Sequence, residues 1–332
     1  MTESSARLES DDSGNLGRVR RLDRLTDTDG ILKILAIDHR DSLRAVLAPD
    51  DPYSITSEQI SNIKVDIVNA LGDLASGAML DPVYGLLPVI SSGALPGDTG
   101  FMTALEAQGY LGDPESRATT LLDGWSVEKA VRVGADAVKL LIFYHPDSVE
   151  AAARQRDTVA SVVSHCRAAD IPLFLEPMLY EVESGRDPSK DRRSLVIDSA
   201  SELSPLGADV MKMQFPMADT ASADEAQLDE ACRELDQCLE QPWALLSGGD
   251  PIEEFLRQVK AAGRSGCSGF MAGRAVWGDC LPISPVDRLH ALASTARSRF
   301  SNLCSVAAES CRPLHDRQRR PQLSDDEWYS RY

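Results

Sequence analysis

A single lysine inside an apolar run is the first residue of this chain that calls for a chemical explanation. Residues 209–216, Asp-Val-Met-Lys-Met-Gln-Phe-Pro, place Lys212 in a stretch that reads as a strand buried on both faces. An ammonium group there must reach a partner or give up its charge. Desolvation lowers the pKa of a lysine, and the free amine is a nucleophile that can form a Schiff base with a carbonyl substrate. Lys139 and Lys33 sit in similar runs, although the chain has only seven lysines and carries most of its positive charge as arginine. Arginine keeps its proton in proteins and lysine need not, which is a physical reason for lysine at such places. The plain alternative is a structural ion pair, and it suits Lys33, near the start of its run, best of the three.

The acids and glycines add to this set. Glu176 closes one apolar run and Asp38 another. Burial raises a carboxylate's pKa and a neighbouring ammonium lowers it, the conditions for proton transfer near neutral pH. Ser247-Gly248-Gly249 and Gly273-Arg274 end two later runs. Backbone N–H groups beside glycine and the fork of an arginine suit a phosphate. His39, Arg40 and Asp81 also end strand-like runs. A zinc site from His39, His145 and either Asp38 or Glu176 is the metal alternative, but no HxxxH-type spacing supports it.

Strands at 31–38, 77–82, 100–106, 137–144, 172–177, 209–216, 243–249 and 268–274 can position these residues. Helical periodicity appears between several of them, at 57–72, 148–169, 195–206 and 252–262. Eight short apolar strands alternating with helices predict an α/β fold with a parallel sheet, and eight is the number that closes a single (β/α)8 TIM barrel. An open doubly wound sheet is the alternative. Active sites of such barrels lie at the C-terminal ends of the strands, where the residues named above fall. The expected organisation is a polar, loosely ordered lead-in over 1–25, a barrel over 26–308 with an extra helix near 285–305, and a polar tail over 309–332.

With 34 basic and 52 acidic residues, a formal charge of −18, the chain lacks the basic footprint that nucleic acid or an anionic membrane needs. Its apolar runs fall well short of the roughly 20 residues that cross a bilayer, and no signal pattern opens it. Seven cysteines without CxxC spacing read as reduced thiols, so a cytoplasmic setting is expected. A homo-oligomer is compatible with all of this.

In order along the chain, LAIDHR (35–40), MLDPVYG (79–85), WS (125–126), GADAVK (134–139), FLE (174–176), ADVMK (208–212), LSGG (246–249) and AGRAVW (272–277) resemble the class I tagatose-1,6-bisphosphate aldolases. They also resemble the related sulfofructose-1-phosphate aldolases. The resemblance covers roughly 25–300. It implies a (β/α)8 aldolase that needs no metal or other cofactor and acts on a sugar phosphate. It implies that Lys212 forms the Schiff base, that Glu176 is the general acid/base, and that Asp38 and Lys139 orient the substrate and tune Lys212. In that scheme Lys139 acts on Lys212 by like-charge repulsion. It also implies that Ser247, Gly248 and Arg274, with Gly249 and Gly273 beside them, hold the phosphate of the dihydroxyacetone-phosphate half. Relatives commonly have Asp-Gln-Arg followed by Gly or Glu where this chain has Asp38-His39-Arg40-Asp41, and Lys-Val-Glu where it has Lys212-Met213-Gln214. The changed first loop, with His39 and Arg40, bears on the aldehyde half. Two other readings of the same residues are a sugar-phosphate isomerase or epimerase acting through Glu176, and a catalytically silent sugar-phosphate-binding regulator.

Overall fold

The apolar runs form strands because each is buried on both faces and bounded by polar or glycine-containing turns. In the computed structural model, which describes residues 15–183, 185–318 and 320, they become β1 (Leu32–Ile37), β2 (Gly77–Leu80), β3 (Gly100–Ala104), β4 (Ala137–Phe143), β5 (Leu173–Met178), β6 (Val210–Met213), β7 (Trp243–Leu246) and β8 (Gly269–Ala272). Each begins within one residue of its expected start. All pairings are parallel, each strand beside the next in sequence, and β8 pairs with β1 to close the barrel. The open-sheet alternative is thereby overturned.

Two apolar layers result. The outer one lies between barrel and helices, and includes Val138, Leu140 and Leu173 of the strands with Ile60, Ile67, Val159 and Phe255 of the helices. The inner one is formed by the alternate, inward-facing positions, among them Ile34, Ala36, Met79, Met102, Ala137, Phe174, Val210, Ala244 and Met271. Side chains alternate along a strand, so the next inward position after Ala36, Ala137, Phe174 and Val210 falls two residues later. Those positions are Asp38, Lys139, Glu176 and Lys212.

The segment expected to be a loosely ordered lead-in is structural over 15–25. Leu16–Asp23 is a helix with Val19 and Leu22 buried, and Leu22, Leu25 and, from the other end of the chain, Leu314 join the inner core. Arg18 bonds Asp209 at 3.2 Å and Arg24 bonds Asp136 at 2.8 Å, fastening the segment below β6 and β4. Composition misled because the arginines of this helix serve as anchors. Residues 1–14 of the lead-in, and 319 and 321–332 of the tail, lie outside the described residues. The expected final helix comprises Pro285–Ala291, a π-helical turn over Leu292–Ala296, and Arg297–Ser310. Helices at Leu86–Ser91, Val127–Arg132 and Glu225–Gln237 complete crossovers that periodicity alone did not mark.

Candidate active site

A cleft of about 250 Å³ opens at the C-terminal ends of the strands. Eleven of the residues expected at the site line it: Asp38, His39, Arg40, Lys139, Glu176, Lys212, Ser247, Gly248, Gly249, Gly273 and Arg274. Its floor carries a chain of charges. Lys212 Nζ lies 2.8 Å from Glu176 Oε1, and Glu176 Oε2 lies 2.8 Å from Lys139 Nζ. Lys139 also meets Asp38 Oδ2 at 2.9 Å and Glu106 Oε1 at 2.6 Å. Glu106, Lys139, Glu176 and Lys212 are each no more than 6% exposed, so solvent screens these contacts little.

The arrangement fixes the charge on most of the members. Burial pushes the Lys139 ammonium down, but Asp38, Glu106 and Glu176 outweigh it and hold the pKa well above the ordinary value. Burial raises Glu176, and Lys139 and Lys212 together outweigh that and hold the carboxyl below its ordinary value. Asp38 is likewise raised by burial and driven far lower by Lys139 and Lys212. Lys139 is therefore a fixed cation. Lys212 differs from it in place: it shares one carboxylate, and the sulfur of Met79, 3.8 Å away, lies beneath it.

On the β7–β8 side, Gly248 and Gly249 take φ of +56° and +94°, a left-handed backbone that favours glycine. Gly273 N–H approaches Ser247 Oγ at 3.4 Å, joining the two loops. A side chain at Gly273 would run into His39, whose carbon Cε1 lies 2.7 Å from where the Cβ would be. The His39 ring stands edge-on to Trp277, with centroids 5.3 Å apart. Burial pushes the imidazole down to about 3, only partly opposed by Asp38, so the ring is neutral. Arg40 is buried and donates from Nη2 to the carbonyl of Glu106 at 2.8 Å.

Several expected or noted residues serve elsewhere. Asp81, although it follows β2, is wholly buried against Lys64 and does not line the cleft. Gln214 braces β5, its Oε1 accepting from Leu179 N–H at 2.9 Å. His145 has both ring nitrogens engaged with the chain at Arg186 and Asp147 and does not join His39, so the zinc set is not assembled. Lys33 pairs with Asp27 at 2.5 Å, as the ion-pair alternative holds. Glu106 was missed as a site residue. Its signal was available: an acid at the end of a strand-like run, like Glu176. It also accepts from Leu141 N–H at 3.1 Å.

Comparison with known proteins gives a family and a fold. Residues 32–279 match the profile described as DeoC/LacD family aldolase. The tagatose 1,6-diphosphate aldolase of Streptococcus agalactiae serotype V is 30% identical over 276 residues, 78% of this chain and 84% of that one. Tagatose 1,6-diphosphate aldolase 1 of Enterococcus faecalis is 30% identical over 314 residues, 88% and 94% of the two chains. Among solved structures, fructose-bisphosphate aldolase of Plasmodium falciparum superposes with a TM-score of 0.69 at 15% identity, covering 94% of this chain and 99% of that one. An archaeal fructose-1,6-bisphosphate aldolase, solved with its catalytic lysine bound to a carbinolamine intermediate, gives 0.57 at 20% identity, covering 86% and 99%. These two likenesses speak to the fold. The chain belongs to the DeoC/LacD family of aldolases, carbon–carbon lyases, here on a closed (β/α)8 barrel.

Proposed function

We propose that the protein is a class I aldolase in which Lys212 forms a Schiff base with the C2 carbonyl of a 1-phosphorylated ketose. The products are dihydroxyacetone phosphate and an aldehyde, and no metal takes part. The observation that carries this is the line Lys212–Glu176–Lys139: an amine in the barrel mouth 2.8 Å from a carboxylate whose other oxygen is held by a fixed cation.

Lys212, as the free amine, attacks C2 to give a carbinolamine, and loss of water leaves the iminium. The iminium nitrogen accepts the electron pair of the breaking C3–C4 bond, while Glu176 takes the proton of the C4 hydroxyl. The aldehyde departs, the enamine is protonated at C3, and hydrolysis frees dihydroxyacetone phosphate and the amine. At the cleavage stage the positively charged iminium nitrogen stands where the Lys212 ammonium stood, so Glu176 stays ionised beside it and is available as the base. Lys139 and Asp38 keep its orientation.

The phosphate is assigned to Ser247, Gly248, Gly249, Gly273 and Arg274, which line one side of the cleft. The aldehyde half is assigned to the β1 side, with His39 and Arg40. Nε and Nη1 of Arg40 are buried with no partner among the described residues, which suits an anionic far end, phosphate or sulfonate. The names of the bacterial relatives make tagatose 1,6-bisphosphate the first substrate to try.

The test couples release of dihydroxyacetone phosphate to NADH oxidation with glycerol-phosphate dehydrogenase, in EDTA. Tagatose 1,6-bisphosphate, fructose 1,6-bisphosphate and sulfofructose 1-phosphate are compared. Turnover of at least one is expected, and Lys212→Arg, which keeps a charge without a free amine, should lower kcat by roughly a thousandfold or more. Retained cleavage in that variant would point to chemistry without a covalent adduct.

A further inference from the structure

The Ser57–Leu71 helix turns Ile60, Ile63, Ile67, Val68 and Leu71 toward the barrel, and one lysine, Lys64, lies on the same buried stripe with no exposed surface. An ammonium in such a place loses its hydration, a cost that its partners must offset. Its three protons are all used. They go to the carbonyl of Ile37 at 2.6 Å, the carbonyl of His39 at 2.7 Å, and the Asp81 carboxylate. Asp81 is fixed in turn: its Oδ1 accepts from Val83 N–H at 3.0 Å and Tyr84 N–H at 2.8 Å.

The two carbonyls are those on either side of Asp38. With both tied on the helix side of the barrel wall, the Asp38 side chain is left on the inner side, where Oδ2 meets Lys139 at 2.9 Å. We infer that Lys64, backed by Asp81, is a positioning residue for Asp38: its buried ammonium sets the turn after β1, so that Asp38 is presented to Lys139 beside the reacting lysine. Lys64 does not itself line the cleft, and its effect on the reaction passes through the turn that it bonds. The kinetic side of this inference rests on the Schiff-base reading above.

The test is a double-mutant cycle on the full chain between Lys64→Met and Asp38→Asn, read in kcat and KM. In the wild-type background, Lys64→Met is expected to lower kcat about 10- to 100-fold, as sub-ångström to ångström misplacement of a catalytic group does, with KM changed less than about threefold. In the Asp38→Asn background the same substitution should change kcat by less than about twofold. Equal losses in both backgrounds, or no loss in either, would overturn the inference. If Lys64→Met alone does not fold, the pair Lys64→Met/Asp81→Asn, which removes both buried charges together, carries the same cycle. A crystal structure of that paired variant gives a readout independent of turnover. Asp38 swung away from Lys139 is expected, and Asp38 still at hydrogen-bond distance would overturn the proposal. Should the wild-type protein neither cleave a ketose phosphate nor trap a carbonyl donor, the Schiff-base reading fails, and the crystal structure alone decides the role of Lys64.

Discussion

At the scale of single residues, the charge state of each site group follows from what surrounds it. Lys139 was expected to act on Lys212 by like-charge repulsion. Glu176 pairs with both lysines, and Lys139 gains two further carboxylates, Asp38 and Glu106. The sequence could not reveal that, because the three acids that meet Lys139 come from three other parts of the chain. His39 gives a prediction with a definite sign. Its folded-state pKa is pushed by burial to about 3, from an ordinary 6.5, so the folded protein keeps the ring neutral where the unfolded chain protonates it. The unfolded state therefore binds the extra proton, and stability falls as the pH drops from about 6.5 toward about 3, by up to roughly 1.4 kcal/mol per unit. Urea unfolding of wild type and His39→Gln at pH 7 and pH 5 checks this. Between those values the wild type should lose about 2 kcal/mol more than the variant, and equal losses would mean that the ring is not held neutral.

At the scale of elements, the β7–β8 loops show how backbone shape makes a site. Gly249, with φ of +94°, sits where an added Cβ would be 3.9 Å from the Arg274 guanidinium. Space is available there and the conformation is the obstacle, at about 1–3 kcal/mol for a residue with a side chain. Gly249→Ala should therefore keep the fold and raise KM for the phosphorylated ketose about tenfold, as a strain near 1.4 kcal/mol relieved by shifting the loop would do. An unchanged KM in steady-state assays would detach this loop from the phosphate. The strands were legible because uninterrupted apolar runs have few other meanings in a chain of this pattern. The inward set was legible too, since Asp38, Lys139, Glu176 and Lys212 each follow an apolar inward residue by two. The helix Glu225–Gln237 was not recognised, although Asp224 and Gln227 form a capping box and Leu228, Ala231, Cys232 and Leu235 recur at helical spacing. Its many charges hid the stripe. Lys64 was hidden for the opposite reason, a single charge on a stripe that otherwise reads as plain core.

At the scale of the whole molecule, the barrel is closed below by two segments far apart in sequence, 15–25 and the residues around Leu314. Leu25, fully buried, lies where side chains at Gly77 and Gly100 would otherwise stand, 2.9 Å and 3.1 Å from their hypothetical Cβ atoms. Glycine at the starts of β2 and β3 thus makes room for the N-terminal segment. Leu314 N–H bonds the carbonyl of Gly30 at 2.8 Å, and Arg320 pairs with Asp23 at 2.7 Å, so these two segments meet beneath the barrel. Such long-range docking has no periodic signature, which is why composition suggested only a lead-in and a tail. Leu25→Ala should destabilise the protein by about 2–5 kcal/mol, measured by urea unfolding. Because the site lies at the other end of the strands, kcat at a temperature where the variant stays folded should remain within about twofold of the wild type. A loss below about 1 kcal/mol would show that the plug adds little to the core.

The central claim is the covalent one, and borohydride trapping tests it most directly. The protein is incubated with dihydroxyacetone phosphate, reduced, and analysed by intact mass and peptide mapping. A reduced adduct on Lys212, absent without borohydride and absent in Lys212→Ala, is the predicted result. An adduct on Lys139 or elsewhere, or no adduct although dihydroxyacetone phosphate raises the melting temperature, would contradict Lys212 as the Schiff-base residue for this donor.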